Sequence, residues 1–258
     1  SLSTALGFCY TSSVSIILSL FGKISALSLI LAQLSFFIIL LVILWLKFDF
    51  KLEREFTFRK FFVNLNLKEI VLVAIFSVSA FFAFYRIIAY PAIEWDSLAY
   101  GVNYAKIIFQ SKGIPLIAGP SIGLEMSANY PPGNQLLAVY FYILSGRIND
   151  FYYRVLQPIF ALLVIITTYR IAGSITKNRF FSFFALSLLG GLFIFWDNFI
   201  LTTYLMYLTL TQTLAAYFFF KAYNSEESRT KNYEVLGALF CGFSALISYL
   251  GVFSIGMI

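Results

Sequence analysis

"YPPGNQLLAVYFYILSG", residues 130–146, is the stretch whose reading decides the topology. It is apolar enough to enter a membrane, yet only about 14 residues follow its proline pair. At 1.5 Å per residue they reach about 21 Å, short of a hydrocarbon core of about 30 Å. If the segment crosses the bilayer, every later connection changes side. If it lies along the surface, none does.

Working outward, the 258-residue chain is 60% hydrophobic and 20% aromatic, with 12% charged residues. Its mean hydropathy is +0.86. A soluble domain carries about twice that share of charge. The apolar runs are continuous rather than alternating, which excludes a barrel and predicts an all-α polytopic membrane protein. Candidate spans are 2–22, 25–46, 69–91, 150–170, 180–196, 199–221 and 234–258, about seven in all. The formal charge of +6 needs no nucleic-acid partner, since basic residues in such chains mark cytoplasmic loops. Cys9 and Cys241 sit inside apolar runs and read as small hydrophobes, not as a disulfide or metal pair. There is no histidine, so acid–base chemistry falls to Asp, Glu, Lys or Tyr. The chain opens without Met and stops within an apolar run, which reads as a fragment of a longer membrane protein.

Charge bias decides between the two readings of 130–146. The loop between the second and third spans holds Lys47, Lys51, Arg54, Arg59, Lys60 and Lys68, and is expected to be cytoplasmic. With 130–146 flat, Arg170, Lys177, Arg179, Lys221, Arg229 and Lys231 join it, giving twelve basic residues inside and six outside. With 130–146 spanning, the count becomes eight inside and ten outside. Only the first obeys the positive-inside rule. The segment is therefore predicted to be an interfacial helix, with Pro131 and Pro132 in its first turn. Residues 97–110 are predicted to form a second surface helix. Leu98, Val102, Ala105 and Phe109 share one face, Asn103, Lys106 and Gln110 the other, and Gly113 and Pro115 end it. The expected organisation is two additional spans in 1–46, a basic loop over 47–68, and a membrane region over 69–258 with an outer loop at 92–149.

This arrangement places Glu94, Asp96, Glu125, Arg147, Asp150, Arg154 and Asp197 on one outer face, and opens two connections a hundred residues apart, around Asp96 and Asp197, on the same side. Asp96 in "EWDSLAY" reads as an N-cap for the following helix, or as a partly desolvated base at the lipid–water boundary. Asp197 in "FWDNF" reads as a turn residue, or as a second acid that orients a sugar hydroxyl or shares a divalent cation. Arg86 and Arg154 read as snorkelling side chains, or as holders of a phosphate. Tyr130 reads as part of a proline-defined helix start, or as a pocket wall. Lys106 reads as a solvated face or a substrate contact, and Glu94 as an extra acid of unassigned role.

"EWDSLAYGVNYAKIIFQSKGIP", then "NYPPGNQLLAVYFYILSGRINDFYYRVLQPIFALLVIITTYRIAG", resembles the first extracytoplasmic loop and following helix of GT-C membrane glycosyltransferases. The similarity is to the protein mannosyltransferase and aminoarabinose transferase type. "WDNFILTTYLMYLTLTQTLAAYFFF" resembles their second acid-bearing loop and the helix after it, and "GALFCGFSALISYLGVFSIG" their Gly-rich next helix. Ser248 and Tyr249 stand where the family often has a Lys or Arg. The resemblance covers about 69–258. It implies transfer of a sugar from a polyprenyl-phosphate (dolichyl-phosphate, if eukaryotic) donor to a protein, lipid or glycan acceptor on the extracytoplasmic face. Asp96 matches the family's first-loop catalytic acid, Asp197 the second-loop acid, and Arg154 the arginine opening the next span. No cofactor is required on this reading, no protein metal site is expected, and the partners are the lipid-linked donor, the acceptor and membrane lipids. An oligosaccharyltransferase-type enzyme with a pyrophosphate donor and a divalent cation is the enzyme alternative. A transporter or non-catalytic membrane subunit is the alternative of another class.

Overall fold

The computed structural model describes residues 2–45, 65–89, 101–114, 131–200, 204–225, 227–248 and 251. Within them the chain is all-helical, with ten helices and no strand. They are α1 (Leu2–Leu20), α2 (Ala26–Trp45), α3 (Leu67–Ala89), α4 (Asn103–Ser111), α5 (Gly133–Ser145), α6 (Asp150–Thr176), α7 (Arg179–Gly191), α8 (Phe193–Ile200), α9 (Leu205–Tyr223) and α10 (Glu227–Ile247). Two of them, α3 and α6, are long and apolar enough to cross a bilayer.

Local chemistry explains the boundaries of the long helices. The Asn149 side chain accepts from the Phe151 amide and starts α6; Asn178 does the same for Phe180 and starts α7. At the head of α3, Asn66 and Glu69 form a reciprocal capping pair at 2.9 Å each way. Lys177 ends α6 in the left-handed conformation, with its amide bonded to the Gly173 carbonyl.

α6 is the central element. Along it Tyr153, Leu156, Phe160, Ala161 and Val164 are buried against neighbours on several sides. Phe160 stacks on Tyr207 of α9 at 4.7 Å and meets Phe8 of α1 edge-on at 5.2 Å. Gly237 of α10 lies against the Phe219 ring of α9, and Ser244 donates to Thr211 at 2.9 Å, tying those two helices into a tight hairpin. Small residues and interhelical hydrogen bonds of this kind hold apolar helices together where lipid is as apolar as the side chains. α3 lies at the edge, with Ile70, Val71, Ile75, Val78, Phe81, Phe82, Tyr85 and Ile88 exposed. That is the face expected of a helix that meets lipid.

Side-chain contacts give the relative directions. Ser187 of α7 donates to the Leu72 carbonyl and Gly190 abuts Phe76, so α7 runs parallel to α3. Arg154 near the start of α6 bonds Ile87 near the end of α3, so these two run antiparallel. Tyr169 meets Phe183 edge-on at 5.4 Å, and Arg179 lies over the same ring, which puts the end of α6 beside the start of α7.

The short helices depart from the sequence reading in three ways. Pro131 and Pro132 precede α5 instead of occupying its first turn, with Pro132 at the N-cap. Seven consecutive residues of α5, Gly133 to Val139, are buried, and so is Tyr142. A helix with one exposed face is therefore not what forms: α1, α4 and α6 enclose it. Its 13 residues reach about 20 Å. Asn134 meets Tyr153 while Tyr142 meets Asp150, so eight residues of α5 match three of α6. α5 thus crosses α6 at a steep angle. α4 has its expected polarity, with Val102 and Ala105 buried and Asn103 and Gln110 exposed. Its end, however, is a left-handed Lys112, with Gly113 packed so close to α1 that a Cβ there would lie 3.1 Å from the Ser19 carbonyl oxygen.

Candidate functional site

The start of α6 organises one end of the bundle. Asn149 caps the helix, which puts Asp150 in the first turn, where the helix dipole favours a carboxylate. Lys106 of α4 donates to one Asp150 oxygen at 2.9 Å. The Tyr142 hydroxyl of α5 donates to the other at 3.3 Å. One carboxylate therefore ties three helices together. Burial raises the Tyr142 phenol above its usual range, and the Asp150 charge and hydrogen bond raise it further. The phenol is thus held in its neutral, donating form. Burial also raises Tyr104 on the inner face of α4.

One turn further along α6, Arg154 is half-buried. Its Nη1 donates to the Ile87 carbonyl at 3.3 Å, and its guanidinium lies 5.8 Å from the Phe151 ring centre. Arg86, next to Ile87 on α3, is exposed. On the neighbouring face Gly101 lies against Tyr153: a Cβ there would come within 2.9 Å of the phenol oxygen. The last turn of α3 and the entry to α4 therefore both abut the first turn of α6. Residues 90–100 connect those two points and carry Glu94 and Asp96. Glu94, Asp96 and Tyr130 lie outside the described residues.

Of the sequence-predicted residues, Arg86, Lys106 and Arg154 gather at this end. Asp197 has another setting than the expected turn. It is half-buried within α8, a helix, rather than in a turn. The break comes earlier, at extended Leu192 after Gly190–Gly191. Trp196 then folds back to donate to the Gly190 carbonyl at 2.6 Å and packs on Phe76. Phe76 lies eleven residues before Ile87 on α3, about 16 Å along its axis. Trp196, the neighbour of Asp197 on α8, is thereby fixed against the middle of α3.

Sequence reasoning placed Asp150 on this outer face without a role in the site, and missed Tyr142. The signal for Asp150 was its place just after a capping Asn. Its partner Lys106 is 44 residues away, and nothing local joins them. Chemically, the end presents two guanidinium groups in the neighbourhood of a carboxylate–ammonium pair. Guanidinium suits bidentate contact with a phosphate, and the fixed pair holds α4 in register with α6. Comparison with known proteins finds no match: no protein-family model, no curated protein and no solved structure matches this chain.

Proposed function

We propose that this chain is the membrane part of a glycosyltransferase that moves a sugar from a polyprenyl-monophosphate carrier to an acceptor hydroxyl at the extracytoplasmic face. The reading rests on the resemblance of residues 69–258 to GT-C enzymes. The observation that carries it is the pairing of Lys106 with Asp150 and of Arg154 with the Ile87 carbonyl, at the end of the bundle where the connection bearing Glu94 and Asp96 begins and ends.

In this mechanism Asp96 takes the proton from the acceptor hydroxyl as it attacks the anomeric carbon, or positions that hydroxyl. Arg154, with Arg86 beside it, offsets the charge on the departing lipid phosphate. A half-buried guanidinium at the mouth of a helix layer suits a headgroup that stays at the boundary while its chain stays in lipid. Asp197 orients a substrate hydroxyl from deeper in the bundle. The membrane arrangement is that of the candidate spans, with the segment 180–196 entering as the paired helices α7 and α8, and with α4 and α5 at the outer surface. The steep crossing of α5 over α6 supports a helix that lies across the spans. Sidedness follows from the twelve-to-six distribution of basic residues.

The test uses the full-length protein in nanodiscs with short-chain polyprenyl-monophosphate sugars, reading release of polyprenyl phosphate with and without a chelator. Turnover that survives chelation and a raised donor KM in Arg154→Ala are expected. Turnover lost on chelation would move the assignment to a metal-dependent, pyrophosphate-using transferase. No turnover with any monophosphate donor would overturn the reading.

A further inference from the structure

The turn between α1 and α2 meets the end of α4 at the surface, and each brings a lysine to the junction. A Cβ on Gly113 would lie 3.5 Å from the Gly22 Cα and 3.1 Å from the Ser19 carbonyl oxygen. Lys112 precedes Gly113 and Lys23 follows Gly22, and both lysines are exposed. Consecutive Cα atoms are about 3.8 Å apart, so those of Lys23 and Lys112 are separated by no more than about 13 Å. Two extended lysine side chains reach one point across that gap.

Both backbones are pinned. The Lys23 amide donates to the Leu18 carbonyl at 2.9 Å, and the Lys23 carbonyl accepts from Ser28 Oγ at 2.7 Å. Ile24, beside it, is buried in the same apolar cluster as Tyr104 and Ile108 of α4. Lys112 holds its left-handed conformation, and Ser111 Oγ donates to the Gly113 carbonyl at 2.6 Å. No carboxylate from these segments offsets the two charges: neither residues 1–45 nor residues 101–114 contain an Asp or Glu. The remaining lysine of these segments, Lys106, is already paired with Asp150. Neither Lys23 nor Lys112 has an ionic partner among the described residues. Like charges held this close repel, and the repulsion grows where hydrocarbon replaces water. An anion placed between them turns it into attraction.

The junction is also apolar. Phe21 is 73% exposed, with Leu20 and Leu27 exposed beside it. A small soluble anion gains nothing from such neighbours. A lipid phosphate does, because its head meets the ammonium groups while its acyl chains cover Leu20, Phe21 and Leu27.

We infer that Lys23 and Lys112 form a binding site for the phosphate of an anionic phospholipid, such as phosphatidylglycerol, at the bilayer surface. A zwitterionic lipid brings its own ammonium group beside the phosphate and suits the pair less well. The site is independent of the transferase reading, since lipid preference is read without turnover.

The experiment uses the full-length protein in phosphatidylcholine nanodiscs with graded phosphatidylglycerol. Native mass spectrometry measures retention of the most tightly held lipid, and the unfolding midpoint in phosphatidylcholine alone reports that each variant folds. Phosphatidylglycerol is expected to be retained in preference to phosphatidylcholine. Lys23→Gln and Lys112→Asn are each expected to weaken that retention about fivefold, and the two together about 25-fold. Asn is used at 112 because it accepts a left-handed backbone. Lys23→Arg with Lys112→Arg keeps both charges and is expected to keep retention. Lys177→Gln, an exposed lysine at the far end of α6, is the control and is also expected to keep it. Equal retention of the two lipids, unchanged retention in the double variant, or as large a loss in Lys177→Gln would overturn the site. Inorganic phosphate, added to phosphatidylcholine nanodiscs, is expected to leave the unfolding midpoint unchanged. A rise of about 2 °C that the double variant lacks would assign the lysines to free phosphate and overturn the lipid.

Discussion

Lys106 and Asp150 lie 44 residues apart in the chain and 2.9 Å apart in space. The pair fixes α4 to the start of α6 and defines the end of the molecule where the candidate site lies. Both side chains are part-exposed, about a third and two-fifths of their surface. A double-mutant cycle with Lys106→Met and Asp150→Asn is therefore expected to give a small coupling, about 0.2–1 kcal/mol, in unfolding experiments. The coupling should shrink at high salt. A coupling of several kcal/mol would mean that the pair is desolvated in the membrane-bound protein.

Close backbone approach makes a sharper prediction. A Cβ on Gly133 would sit 2.7 Å from the Leu246 carbonyl oxygen of α10, which is backbone and cannot swing away. Gly133→Ala is expected to destabilise by about 1–3 kcal/mol. Gly242, on α10 with nothing within 4 Å of its own Cβ position, is the control. Gly242→Ala should be neutral or stabilising by up to about 1 kcal/mol. Equal effects at the two sites would refute the α5–α10 contact.

The buried phenols set an alkaline limit. Tyr142 and Tyr104 hold their protons more tightly in the folded protein than in the unfolded chain. Their contribution is fully present below the unfolded tyrosine value of about 10 and is lost as pH rises beyond it. Unfolding midpoints should stay level with respect to these groups up to about pH 9 and fall above about pH 10. Tyr142→Phe should lessen the fall. A midpoint that rises above pH 10 would contradict the burial of these groups.

Sidedness is open to labelling. Lys112 ends α4 and Lys177 ends α6, and both are exposed. The native Cys9 and Cys241 are buried, so background reaction is low. In sealed right-side-out cells, an impermeant thiol reagent should modify Lys112→Cys and spare Lys177→Cys. Modification of both, or of Lys177→Cys alone, would invert the topology.

How much of this was legible in the sequence differs by element. The span predicted at 69–91 is α3 at Leu67–Ala89, because a long apolar run between a capping pair and a charged end has one helical solution. The start of α6 was legible from its apolar run, and Asn149 explains the boundary. The segment predicted at 180–196 is two helices. Gly190–Gly191 was the available sign of the break, but an apolar run carries no periodicity that distinguishes a fold-back from a straight helix. That is why Asp197 was read as a turn residue. The enclosure of α5 was not legible either. Its buried Asn134 and the nearby Gln157 are single polar residues in apolar runs, and only packing shows that they are interior. The placing of Lys106 by Asp150 depends on a contact between distant segments, which composition and local spacing do not encode.

We propose that Asp96, on the connection between α3 and α4, supplies the reactive carboxylate. Its most direct test is donor turnover by full-length Asp96→Asn in nanodiscs, alongside its unfolding midpoint and donor affinity. Turnover is expected to fall at least about a hundredfold, with folding and donor binding kept. Wild-type turnover in that variant would contradict it.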